Sequence, residues 1–79
     1  MARIIDGNKN NLIGRNVRKI RKQKKMSQQE LSAKLELMSV YICRGSISRL
    51  EDQTRTVTDI ELYALAQVLQ VSVDELLKQ

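Results

Sequence analysis

The stretch RGSISRLE, residues 44–51, gathers the side chains best equipped for chemistry in this 79-residue chain. Wound as a helix, it turns Ile47 and Leu50 (i, i+3) inward and leaves Arg44, Gly45, Ser46, Ser48 and Arg49 on the other side. Small residues beside long cationic donors let a helix lie close to the floor of a groove. A guanidinium there can give two parallel hydrogen bonds to guanine O6 and N7, or bind a phosphate. Other chemistries are poorly supplied. The chain has no histidine and a single cysteine, Cys43, so neither imidazole acid–base work nor a zinc site is available. Gly7, Gly14 and Gly45 make no phosphate-cradling loop. Tyr41 and Tyr63, the only aromatic residues, are too few for RNA reading by stacking. No catalytic residue, metal or cofactor is expected.

The elements that must position this stretch can be read from start signals and periodicity. Ile13, Val17 and Ile20 recur at helical spacing from Asn11 onward, while Arg15, Arg18, Lys19, Arg21, Lys22, Lys24 and Lys25 occupy the remaining faces. Ser27–Glu30, Thr58–Glu61 and Ser72–Glu75 each have the S/T-x-x-E spacing of a capping box, in which hydroxyl and carboxylate satisfy opposite backbone N–H groups. Each box precedes apolar residues at helical spacing: Leu31 and Leu35; Leu62, Leu65, Ala66 and Leu69; Leu76 and Leu77. With the stretch from Arg44 to Glu51 this predicts five helices and an all-α domain over residues 11–79, preceded by an arm at 1–10. With no Phe or Trp, the core must be aliphatic. Val40, Tyr41 and Ile42 read as an extended segment packed under the connector, and Cys43 as a small buried residue.

Charge is segregated along the chain. Residues 1–25 hold nine Lys and Arg against Asp6 alone; residues 26–79 hold five against eight acids. A basic end of this kind points to a polyanionic partner. A lone thiol, the lack of an apolar run long enough to span a bilayer and the lack of a leader suit a cytoplasmic protein with no membrane role.

Four strings now fall in one order: IGRNVRKIR, MSQQEL, SISRLE and LAQVLQVSVDELL. Together they resemble the Cro/repressor-type (XRE, lambda-repressor-like) helix-turn-helix family from about Ile13 to Leu77. The resemblance implies a compact five-helix domain and a dimeric, sequence-specific regulator, most simply a repressor, that reads the major groove of double-stranded DNA at an inverted-repeat operator. It places Arg44, Gly45, Ser46 and Arg49 at base-facing positions of the recognition helix, and Ser27, Gln28 and Arg55 at phosphates. Lys22 joins them as a sequence-independent phosphate contact. Arg21 and Glu51 match a structural ion pair, and Val73, Leu76 and Leu77 fall in the region through which members pair, with the arm MARII as the other candidate interface. Small members of the family also act as antitoxins that bind a partner toxin and their own promoter, so a protein partner is the alternative role.

The chain departs from the pattern in four places. The connector between the motif helices is about five residues longer than the usual tight turn, so ELMSVYIC must loop out. Glu36 stands where a turn glycine is common, Ser32 replaces an alanine, and Gln53 replaces the glycine after the recognition helix.

Overall fold

The computed structural model describes residues 7–79, so the MARII segment lies outside the described residues. Five helices run in the expected order: α1 (Gly14–Gln23), α2 (Gln28–Glu36), α3 (Arg44–Glu51), α4 (Asp59–Leu69) and α5 (Val73–Leu77). Among the described residues there is no strand, and no helix is long and apolar enough to cross a membrane.

Two of the five starts carry the full capping box. Ser27 and Thr58 form complete reciprocal boxes with Glu30 and Glu61. Ser72 accepts from the Glu75 N–H, but the return bond is absent, and Glu75 leans 3.8 Å from Lys78 instead. The third box is therefore half a box. α1 has no capping hydroxyl at Ile13; Asn11 reaches over it and accepts from the Gly14 N–H at 2.8 Å.

The helix ends share one device that no glycine advertises. Lys25, Ser39, Gln53 and Gln70 all have positive φ, between 56° and 64°. Each reverses the chain just past a helix, so that the next residue's N–H bonds back to a carbonyl of the last turn: Met26 to Arg21, Val40 to Leu35, Thr54 to Arg49, Val71 to Ala66. This is the Schellman arrangement with an L-residue in the left-handed seat, where glycine is ordinarily favoured.

The core is aliphatic and continuous. Val17, Leu31, Leu35, Ile42, Ile47, Leu50, Leu65, Leu69 and Leu76 are fully buried, with Ile13, Ala64 and Ala66 beside them. Each large side chain buried this way contributes about 1.5–3 kcal/mol of transfer free energy. α1 packs on α3, α4 and α5, and α2 packs on α3 and α4, so α3 is held from two sides. The long connector is absorbed without a free loop. α2 runs on through a turn at Leu37 and Met38, Ser39 reverses it, and residues 40–43 return extended to α3. Ile42 plugs the core, and the Ser32 hydroxyl donates to its carbonyl at 2.8 Å. The hydroxyl at position 32 thus fastens the inserted segment. Val40 is half-buried but Tyr41 is 75% exposed, so only part of the apolar triplet packs as expected.

Candidate nucleic-acid interface

The orientation of α3 is fixed from behind by a buried carboxylate. Arg21 of α1 donates from Nε to Glu51 Oε2 at 2.6 Å and from Nη2 to Oε1 at 3.0 Å. Its remaining nitrogen, Nη1, donates to the Met26 carbonyl at 2.7 Å. The two side chains are 9% and 2% exposed, so this is the expected Arg21–Glu51 pair in buried form. Gln28, in the first turn of α2, adds a bond from Nε2 to Glu51 Oε1 at 3.1 Å. Three helices therefore meet on one carboxylate, and among the described residues no buried side-chain polar atom lacks a partner.

The face of α3 turned away from this lock is open. Ile47, Leu50 and Glu51 are buried, whereas Gly45, Arg49 and Asp52 are exposed and Ser48 is half-buried. Positions 45, 48, 49 and 52 stand at i, i+3, i+4 and i+7, a single outward stripe. Arg44 lies at one edge, where it borders a groove with Ser27, Gln28 and Gln29 of α2 and a second with Gly45 and Ser48. Nothing fills the space above Gly45; a Cβ there would meet only Arg49 Nη1 at 3.7 Å. The start of α2 and the exposed side of α3 thus form one polar surface carrying donors and no bulky side chain near its floor.

Of the residues singled out in the sequence, the fold brings Ser27, Gln28, Arg44, Gly45 and Arg49 to this surface. Ser46 sits off the stripe and accepts from Arg49 Nη2 at 2.9 Å, which makes it a support for that arginine. Ser48, four residues from Arg44 and three from Gly45, also lies centrally on this face. Gln28 is partly committed, since one of its amide hydrogens serves Glu51. Arg55 is engaged elsewhere. Its Nη1 and Nη2 bind Glu61 at 3.1 and 2.8 Å, and Nη1 also donates to the Thr56 carbonyl. Those bonds hold the Glu61 carboxyl below its ordinary range. Arg55 thus clamps the α3–α4 loop to α4. Lys22 lines a different cleft, together with Arg15, Arg18 and Lys19 of α1.

Cys43 is exposed, contrary to the buried reading. It ends the connector at the N-cap of α3, with Sγ 3.4 Å from Ser46 Oγ. Hydrogen bonds from Ser46, with smaller contributions from the Gly45 N–H and Arg49, draw its thiol below the usual range. The region expected to pair divides: Leu76 is fully buried in the chain's own core, Val73 is half-buried and Leu77 is exposed. Leu76 is a core residue, because α5 is too short to be stable unless it sinks one side chain into the domain.

A contribution not expected from the sequence comes from Gln53. Its positive φ places the side chain inward, where it is 8% exposed and donates to the Asn11 carbonyl at 3.2 Å. Asn11 in turn donates to the Leu50 and Arg55 carbonyls at 3.0 and 2.7 Å. The end of α3 is therefore clasped to the start of α1.

Two helices on a shared core, the first presenting its N-terminus and the second an unobstructed polar face, with a third helix locking the second by an ion pair, define a helix-turn-helix domain. The sequence model of the Helix-turn-helix family matches residues 17–76. Among solved structures, the fold is similar to the P22 c2 repressor protein, crystallised with synthetic operator 9T in the presence of Tl+. The two share 31% identity and a TM-score of 0.72 over 86% of this chain and 96% of that one. No curated protein matches the sequence. This chain belongs to the XRE-type helix-turn-helix family.

Proposed function

We propose that this protein is a sequence-specific double-stranded DNA-binding transcriptional regulator, a dimeric repressor that reads the major groove with α3 and acts in the cytoplasm. One observation carries the reading: the exposed stripe of α3, edged by Arg44, adjoins the N-terminal turn of α2 while Glu51, bound by both Arg21 and Gln28, ties α3 to α1 and α2. Arg44 and Arg49 are the groups that give bidentate hydrogen bonds to guanine; Gly45 and Ser48 let the backbone approach the base edges. Ser27 and Gln28 stand where the N-terminus of α2 meets the sugar–phosphate backbone, which orients the domain without reading sequence. The P22 c2 repressor, crystallised with its synthetic operator, supports this assignment of partner.

Two-fold pairing uses the outer side of α5. Leu77 borders an apolar depression with Leu12, Val57 and Leu62, which a second copy of the chain can cover. Pairing of this kind sets two recognition helices about one DNA turn, roughly 34–36 Å, apart. Selection of bound sequences from random duplexes tests both halves of the proposal. The expected result is an inverted repeat with guanines in each half-site; Leu77→Asp, which leaves the core intact, reduces it to one half-site. No enriched sequence, or one asymmetric site bound by a wild-type monomer, contradicts the reading.

A further inference from the structure

A second concentration of positive charge lies outside the α2–α3 groove. Arg15, Arg18, Lys19 and Lys22 recur at i, i+3, i+4 and i+7 and are all exposed, so they form one stripe along α1. With Lys9 they surround an open cleft of about 470 Å³ whose opposite wall is the end of α3, formed by Glu51, Asp52 and Gln53. Glu51 is already bound by Arg21 and Gln28. Among the described residues of the cleft, Asp52 alone is left to answer five cations.

Such a group of like charges repels itself, and flexible side chains would normally disperse. Here the two walls are pinned together. The Arg21–Glu51 pair joins them, the Asn11–Gln53 clasp joins them again, and Gly14 lies directly on the Leu50 carbonyl. The stripe from Arg15 to Lys22 covers about 10 Å of helix axis. Measured along the duplex axis, that is roughly three nucleotides of one strand, at about 3.4 Å each. Asp52 also belongs to the outward stripe of α3, seven residues from Gly45, so cleft and base-reading face adjoin at this carboxylate. When the N-terminal half of a recognition helix contacts bases, its C-terminal end rises toward the backbone.

We propose that this cleft is a second phosphate-binding site, which holds phosphodiesters of the DNA flanking the base pairs read by α3, and that Asp52 weakens this contact by competing for the same cations. The proposal rests on the DNA-binding reading above. It assigns the α1 basic residues a place on the flank, in contrast to a diffuse field around the whole domain.

The test compares two duplexes with the same selected site, one trimmed to the site and one extended by about one helical turn, roughly 10 base pairs, on each side. The full chain, the double variant Arg18→Gln/Lys19→Gln and Asp52→Asn are measured across a salt series, with thermal melts to show that each is folded. If two phosphate contacts are lost, the double variant sheds about tenfold less affinity than wild type between 50 and 200 mM salt on the extended duplex. On the trimmed duplex the two proteins match. Asp52→Asn tightens binding to the extended duplex by a larger factor than it changes binding to the trimmed one. Should wild type prefer its site while the variants respond to flank and salt as wild type does, the cleft assignment is wrong and the DNA reading stands. Wild type that does not distinguish the site from a scrambled duplex overturns the DNA reading and the cleft with it. Inorganic tripolyphosphate that, at matched ionic strength, binds the cleft of a chain indifferent to flank length assigns the site to a free anion and overturns the flank proposal.

Discussion

Glu51 accepts from Arg21 twice and from Gln28 once, within a site almost closed to water. Two opposite charges in such a place gain strongly from each other only because each was first stripped of water. Loss of one member therefore costs more than the pair contributes. Glu51→Gln leaves the Arg21 guanidinium buried without its counter-charge and is expected to lower stability by about 3–5 kcal/mol in denaturant unfolding. Replacing both members with apolar residues of similar size recovers much of that loss. Melting of Glu51→Gln at the wild-type midpoint contradicts a buried pair. Arg55–Glu61 differs in degree, since its side chains are 26% and 15% exposed. There the carboxyl is depressed in the folded state, so the stabilisation is complete above the ordinary carboxylate range and fades as pH falls below that range through the lowered folded value. At the residue scale the lock was legible: an arginine and a glutamate at matching positions of two family motifs. The fate of Arg55 was not. Its partner is the capping glutamate of α4, six residues on, and nothing in the spacing says whether that carboxylate serves the cap, the arginine or both.

Helices were legible as elements because aliphatic spacing and S/T-x-x-E signals agree in the same places. Their ends were harder to read. Gln53 stood out for lacking glycine, but Lys25, Ser39 and Gln70 carry no mark in the sequence of the left-handed turn each makes. Tertiary packing chose those turns, since each returns the chain to the core within two residues. A non-glycine residue in that region costs about 1–2 kcal/mol, against about 0.5–1 kcal/mol of extra chain entropy lost by glycine on folding. Gln70→Gly, at an exposed site, is accordingly expected to stabilise by about 0.5–1 kcal/mol. Gly14 shows the reverse. A Cβ at Gly14 would collide with the backbone carbonyl of Leu50, which cannot swing aside like a side-chain tip. Gly14→Ala is expected to cost about 1–3 kcal/mol by forcing α1 from α3. Thermal melts of the two variants on either side of wild type would support this account; shifts in the same direction would contradict it. The connector was legible in length but not in path. Ile42 as a core plug, tied by the Ser32 hydroxyl, depends on a cavity that several helices make together.

Across the whole molecule, charge and architecture separate two tasks. The basic stripe of α1 and the open face of α3 adjoin, while the acids of residues 59–75 gather at the starts of α4 and α5. This arrangement fits the proposal that one side turns to phosphate and the outer side of α5 to a second copy. Fold class and the placement of α3 were accessible from the sequence, since they depend on local patterns repeated in a fixed order. The division within α5, with Leu76 inward and Leu77 outward, depended on how deeply five residues could sink, and only packing decides that. The central claim is that α3 reads bases through Arg44. Equilibrium binding of wild type and Arg44→Ala to the selected duplex and to a scrambled one of equal length tests it most directly. The account predicts that the substitution costs about 1–3 kcal/mol on the selected site, little on the scrambled duplex, and relaxes preference at one base position. Equal losses on both duplexes, or none on either, would contradict it.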